Sequence, residues 1–264
     1  MKQKFINIKN IAILVDSNSE ISFQICKILV KSKYFNPKII IFRNKNLQKI
    51  RKFKKIFSKN ITYFVSSFPH RANKIRINAK ENKINLCFNS SWHNRLRPSF
   101  LKIFKSGVIN FHPSPLPLNR GLHSAFYGIM NNTIHGSTMH VMDEKFDQGK
   151  IIDTVIYKNK DNYFANYVTK KSHNLSLQIL RKNLKLIYSK DLKKLKKIPK
   201  KHLKKFKYHK KKDIKKFDTL KVDDKIKVEK LWRLIKATKF KQNGYFIKSK
   251  SGTYLIQSII KKIK

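Results

Sequence analysis

Cysteine is almost absent: Cys26 and Cys87 are the two in 264 residues. They are too few and too far apart for a disulfide frame or a metal knuckle. His93, His135, His173 and His202 fall at no metal-ligand spacing, so no metal is expected. Long apolar runs are missing too. Ile11-Ala12-Ile13-Leu14-Val15 is strand-sized, far short of the ~20 residues a membrane span needs. The start, Met1-Lys2-Gln3-Lys4-Phe5, lacks the apolar stretch and cleavage site of a secretory leader. A cytoplasmic protein with reduced thiols is expected. Acidic residues number 14 against 62 lysines and arginines, a net charge of +48. Such a surface attracts polyanions at low salt. Yet glycine and alanine are scarce, isoleucine and asparagine abundant, and lysine, spread along the chain, outnumbers arginine roughly six to one. That is the mark of drift toward AT-rich codons. Phosphate readers cluster their charge and use arginine forks, so drift is favoured over selected nucleic-acid binding.

What is present is a core: apolar residues make up 41%, ample for a domain of moderate size plus an appendage. The first half alternates in the βα manner. Strands are expected at 11–15, 38–42, 62–65, 84–88 and 107–111, and helices at 19–30, 47–57, 72–81 and 98–104. Ser19 is expected to cap the first helix. Short apolar strands alternating with helices predict an α/β fold with a Rossmann-like, mainly parallel sheet covered on both faces. Further on, 123–130 reads as a helix, 136–142 and 151–157 as strands, and 165–192 as a long helix. The division expected is a catalytic domain at 1–192, a basic linker at 193–212 and a small C-terminal subdomain at 213–264. The last would hold a helix at 228–239 and a β-hairpin pairing 245–248 with 254–260.

The chemistry concentrates around Gly107-Val108-Ile109-Asn110-Phe111-His112 and the turn Pro113-Ser114-Pro115-Leu116-Pro117-Leu118-Asn119-Arg120-Gly121. Strand alternation points Asn110 and His112 to one face and Phe111 into the packing. An amide donor beside an imidazole can receive the oxygen of an attacked carbonyl. A carboxylate beside an imidazole favours its charged form and fixes its orientation. Asp147, in Met142-Asp143-Glu144-Lys145-Phe146-Asp147-Gln148-Gly149, is the candidate, and it can take a proton from an attacking amine. The prolines stiffen the turn. Gly121 permits a close approach to ligand, and Arg120 can hold a phosphate or carboxylate.

Asn-x-His-Pro-Ser-x-Leu-Pro at 110–117, Arg-Gly at 120–121, Gly-x-Thr-x-His at 136–140 and Asp-x-Gly-x-Ile at 147–151 together resemble the folate-dependent formyltransferase family. The resemblance implies 10-formyltetrahydrofolate as formyl donor and Asn110, His112 and Asp147 as the catalytic trio. It implies a donor-binding loop at Asn94, Arg95 and Leu96 and another at Met142, Asp143 and Glu144. Ser114, Arg120, Gly121, His123, Thr138 and His140 are expected on the acceptor side. Three acceptor branches stay open. Gly121-Leu122-His123 is similar to glycinamide ribonucleotide formyltransferases, but Asp16-Ser17-Asn18-Ser19 lacks their glycine-rich phosphate loop. The charge suits methionyl-tRNA formyltransferases, which carry a larger C-terminal barrel. Enzymes acting on nucleotide-linked amino sugars, such as dTDP-4-amino-4,6-dideoxyglucose, look closest. Tyr208-His209-Lys210-Lys211-Lys212-Asp213, Leu234-Ile235-Lys236-Ala237-Thr238-Lys239-Phe240 and Gly244-Tyr245-Phe246 resemble their tail, with Lys236 for the usual Arg. In several of them the C-terminal hairpin forms the dimer contact, so a homodimer is implied.

Taken singly, Asn110 reads as a strand-end residue and His112 as a buried histidine; their combination with the turn and Asp147 carries the functional reading. The alternative of another class is a basic RNA-associated protein keeping a worn formyltransferase fold. An intact trio argues against wear, since heavy drift damages an unused site.

Overall fold

The computed structural model describes residues 8–57, 60–69, 73–160, 162–217, 219–221, 225–238, 245–249 and 252–256. The chain runs β1 (Lys9–Val15), α1 (Glu20–Val30), β2 (Phe35–Phe42), α2 (Leu47–Lys54), β3 (Thr62–Val65), α3 (Asn73–Glu81), β4 (Leu86–Ser90), α4 (Pro98–Leu101) and β5 (Gly107–His112). Then come β6 (Arg120–Gly121), α5 (Ser124–Met130), β7 (His135–Val141), β8 (Lys150–Tyr157) and the long α6 (Ala165–Ser189). The remainder is α7 (Lys200–Lys205), β9 (Tyr208–His209), β10 (Thr219–Lys221), α8 (Val228–Thr238), β11 (Tyr245–Ser249) and β12 (Gly252–Ile256).

Seven strands form the main sheet in the order β3-β2-β1-β4-β5-β7-β8. The first five are mutually parallel, and β7 and β8 each run antiparallel to their predecessor in that order. The expected α/β architecture is therefore present, with a mixed edge. Strand alternation feeds two apolar layers. Ile11, Ile13 and Val15 of β1 pack with Ile21, Ile25 and Leu29 of α1 and with Ile179 and Leu180 of α6. Ala12 and Leu14 pack on the other face with Ile75 of α3 and Phe100 of α4. Each such aliphatic side chain contributes roughly 1.5–3 kcal/mol when fully buried. Cys26 and Cys87 sit in these opposite layers as free thiols, and burial pushes both thiols up.

Three expectations need revision. Ser19 stands at the N-cap position of α1, but its hydroxyl does not cap; it donates to the Ser91 hydroxyl at 3.1 Å. Helix α2 ends at Lys54, and it is Asn46 that caps, accepting from the Lys49 N–H at 3.1 Å. The stretch 193–212 reads as a solvated linker because it is nearly all lysine, yet it carries α7 and β9. β9 pairs in parallel with β6, Arg120 opposite Tyr208 and Gly121 opposite His209. The ordering comes from main-chain partners, which composition does not reveal.

Helix α8 lies against α5 and α6, so the C-terminal part docks on the larger unit. Leu234 and Ala237 of α8 complete a third apolar cluster with Phe126, Tyr127 and Ile129 of α5 and Val168 of α6. In the expected hairpin, β11 and β12 pair antiparallel from Tyr245↔Ile256 to Ser249↔Gly252, and β10 adds in parallel to β11. The expected residues 239–240, 244, 250–251 and 257–260, like 1–5 and 72, lie outside the described residues. Among the described residues no helix is long and apolar enough to cross a membrane.

Leu234 is 2% exposed. Leu234→Ala is expected to lower folding stability by about 2–5 kcal/mol, measured as a shift of the denaturant midpoint. A change below about 0.5 kcal/mol, the size of an ordinary surface substitution, would show that α8 is not packed.

Candidate active site

At the carboxyl ends of β4 and β5, where open α/β sheets bind ligands, a chain of side chains is fixed from one main-chain donor. The Trp92 N–H donates to Asn89 Oδ1 at 3.0 Å, which orients the Asn89 amide without ambiguity. Asn89 Nδ2 then donates to Asn110 Oδ1 at 2.9 Å, its neighbour in the β4–β5 register. Asn110 Nδ2 therefore faces His140, and it donates to Nε2 at 3.1 Å. That bond needs an unprotonated Nε2. Burial, and then the nearby His112, hold His140 down to about 4, against the opposing pull of Asp147. His140 is neutral at pH 7, and one Nδ2 hydrogen of Asn110 remains uncommitted.

His112 lies on the same strand, 4% exposed. Its Nε2 donates to the Asn119 carbonyl at 3.1 Å, and its Nδ1 faces Asp147 Oδ2 at 3.7 Å. The other Asp147 oxygen is 3.7 Å from His140 Nε2. Asp147 itself is held by the Gly121 N–H, which donates to Oδ2 at 2.8 Å. Its φ of +50° is left-handed, as are those of Ser91, Asn119 and His123 beside it. Non-glycine residues held this way carry strain that clusters at functional sites. The sequence thus brings Asn110, His112 and Asp147 together, with His140 between them.

These groups open into a cavity of about 260 Å³. One wall is the loop after β4, with Asn94, Arg95 and Leu96; another is the loop after β7, with Met142, Asp143 and Glu144. Gly121 and His123 also line it. Ser114, Arg120 and Thr138 do not. Ser114 and Thr138 pin the proline turn instead: Ser114 Oγ donates to the Leu118 carbonyl, and Thr138 Oγ1 donates to the Ser114 carbonyl, both at 2.8 Å. Arg120 Nη2 donates to the carbonyls of Leu203 and Phe206 at 2.9 and 2.8 Å, anchoring α7. Burial lowers its guanidinium, while Asp147 and Tyr208 act in the other direction.

Two contributors were given no site role by the sequence reading. Asn89 looks like an ordinary strand end; its lateral pairing with Asn110 appears only in the sheet. Tyr208 stands out only as the start of the tail motif 208–213, yet it lines the cavity and stacks on Phe146 with ring centroids 5.6 Å apart. A Cβ on Gly121 would lie 2.2 Å from the His209 carbonyl oxygen, so only glycine lets β9 approach. Among the described residues no cluster of three or more His, Cys, Asp or Glu is arranged to hold a metal.

An amide, an imidazole and a carboxylate thus converge at the strand ends of a largely parallel sheet. The Formyl transferase family profile matches residues 9–184, and the chain belongs to that family. It is 46% identical over 54 residues to a GDP-perosamine N-formyltransferase of Brucella melitensis, a match spanning 20% of this chain and 21% of that protein. It is 37% identical over 108 residues to a methionyl-tRNA formyltransferase of Borrelia turicatae, 39% of this chain and 35% of that one. The structure of a sugar N-formyltransferase from a Shewanella species superposes with a TM-score of 0.76 at 16% identity, covering 97% of this chain and 99% of that chain. At that identity the likeness is one of fold.

An unfolded histidine takes its proton near 6.5 and His140 only near 4. The stability this burial carries is therefore full above about pH 6.5 and lost as pH falls toward 4. Histidine-selective 15N NMR is expected to show His140 as a neutral tautomer with Nδ1 protonated down to about pH 5. A midpoint above 6 would contradict the arrangement.

Proposed function

We propose that the protein transfers a formyl group from 10-formyltetrahydrofolate to the amine of a nucleotide-linked sugar. The observation that carries the reading is the uncommitted Nδ2 hydrogen of Asn110, aimed by Asn89 and His140 beside the His112–Asp147 pair.

The cavity suits a flat, fused-ring donor. Leu96 and Met142 offer apolar surface, and the indole N–H of Trp92, a residue 6% exposed, has no hydrogen-bond partner among the described residues. In this reading Asn94, Arg95, Leu96, Met142, Asp143 and Glu144 hold the donor, which supplies a formyl group on nitrogen. The protein then has three tasks. Asn110 Nδ2 donates to the oxygen that gains negative charge as the amine adds, and His112 Nδ1 lies on the same side. Asp147 takes the proton the amine loses, directly or through water, and as the donor's C–N bond breaks that proton passes to the departing donor nitrogen, which leaves as tetrahydrofolate. The stiff turn and the strap formed by α7 and β9 keep these groups in place before substrate arrives.

Support for a sugar-nucleotide acceptor comes from the fold likeness over nearly the whole chain, C-terminal part included, and from the local match to the GDP-perosamine enzyme. A ribonucleotide phosphate at the start of α1 is disfavoured, because an anion already stands there. Asp16 accepts from the Asn18 N–H at 3.0 Å and from Asn44 at 3.1 Å, and pairs with Arg43. The RNA-associated reading gains little. A basic groove of about 720 Å³, lined by Arg76, Lys80, Lys83, Lys102 and Lys105 among others, has one arginine and no aromatic ring among its lining residues, unlike a stacking platform. In this account 1–192 is the transfer domain and 213–264 a small unit docked on it.

Asn110→Ala, His112→Ala and Asp147→Ala are each expected to lower formyl transfer at least about a hundredfold, the scale of losing an oxyanion donor or an acid/base group. The check is tetrahydrofolate release at saturating acceptor. Near-native turnover in all three would sink the mechanism.

A further inference from the structure

Lysine and histidine are distributed in opposite ways. The chain has 53 lysines and nine histidines; among the described residues, Lys145 is the one lysine that lines the catalytic cavity, against five histidines, His93, His112, His123, His140 and His173. No lysine stands between Lys105 and Lys145. Drift that scatters lysine does not gather histidine at one place. His112 and His140 belong to the bonded chain described above, and His123 starts α5 in a left-handed conformation. His93 and His173 have no part in the transfer chemistry.

His93 is exposed on the loop after β4, and His173 is half-buried on α6. Distant in sequence, both line the catalytic cavity. Burial, and then a charge on His93, hold His173 below the usual histidine range. The same cavity is lined by Ile21 and Ile25 of α1 and Ser176 of α6, and its other charged groups, Arg95, Asp143, Glu144, Lys145 and Asp147, stand on the loop after β4, which also carries His93, and on the loop after β7. Two imidazoles that disfavour each other's charge are a poor structural pair and a good receptor for an anion. A multiply charged ligand between them removes the repulsion and accepts an N–H from each. Imidazole also fits the reaction, since a dense cluster of permanent cations would oppose the proton-accepting role of Asp147 nearby.

We propose that His93 and His173 form the subsite for the diphosphate of a nucleoside-diphosphate-linked acceptor. The assignment rests on the formyl-transfer reading for the acceptor's identity, but its test needs no turnover. Inorganic pyrophosphate and UDP are titrated calorimetrically into the full chain at about 0.3 M salt, where screening weakens the dispersed surface lysines. Histidine 15N spectra are recorded alongside. The expected result is saturable binding of both probes, with the His93 and His173 signals moving toward the charged form. His93→Ala and His173→Gln should each weaken binding at least about tenfold, the scale of a charged hydrogen bond, while folic acid binding stays unchanged. His93 is on an exposed loop, so its variant tests the subsite even where His173→Gln folds poorly. Absence of saturable binding in the native protein would overturn the assignment. So would affinity for both probes that neither substitution alters. Loss of folic acid binding with UDP binding intact would equally overturn it, giving the pair to the donor's carboxylate tail. Loss of transfer in the Asn110, His112 and Asp147 variants is independent of all three outcomes.

Discussion

The site depends on one main-chain N–H. Trp92 donates it to Asn89, and because a peptide nitrogen can only donate, every amide downstream has its orientation decided. Asn89 turns its nitrogen to Asn110, and Asn110 turns its own to His140. The chain ends on a histidine that burial keeps neutral. Each link orients the next, and one broken link leaves a buried group costing about 1–3 kcal/mol. The chain leaves one hydrogen of Asn110 and the buried Nδ1 of His140 without a hydrogen-bond partner among the described residues.

Asp147 is held from the opposite side. Its carboxylate takes the Gly121 N–H, and Gly121 is fixed by pairing with His209. That pairing depends on the strap, whose α7 is anchored to Arg120. His209 in turn stacks on Tyr127 with ring centroids 3.5 Å apart. At its other end Lys197 pairs with Asp143 at 2.6 Å. A segment that looks like disposable lysine-rich chain thus braces the loop carrying the carboxylate at both ends. Gly149 closes that loop, where a Cβ would lie 1.7 Å from the Val141 carbonyl oxygen.

Much of this was legible in the sequence, for reasons that also explain what was not. Apolar runs such as 11–15 marked the parallel strands, because strands buried on both faces need continuous hydrophobicity. The spacing of Asn110, His112 and the proline turn exposed the strand-end site, and Asp147 followed from its own motif. Asn89 was hidden because its partner lies on a neighbouring strand. Arg120, Ser114 and Thr138 had the residue types of ligand contacts, yet Ser114, Thr138 and the Nη2 of Arg120 donate to main-chain carbonyls of the turn and the strap. Carbonyls are the same at every position and leave no trace in composition. Ser19 failed as a cap for a related reason: Ser91, far along the chain, competes for its hydroxyl. The dominant signal, charge, said least about the site, whose Asn110, His112 and His140 lie in the lysine-free stretch between Lys105 and Lys145.

The most direct test of the account is tetrahydrofolate release from 10-formyltetrahydrofolate, followed by absorbance, with a panel of amines. The panel holds dTDP-, UDP- and GDP-linked amino sugars, glycinamide ribonucleotide and methionyl-tRNA. The account predicts turnover with at least one amino-sugar nucleotide and none with the ribonucleotide. Turnover with methionyl-tRNA alone would contradict the acceptor assignment, and a protein that binds no folate would contradict the transfer itself.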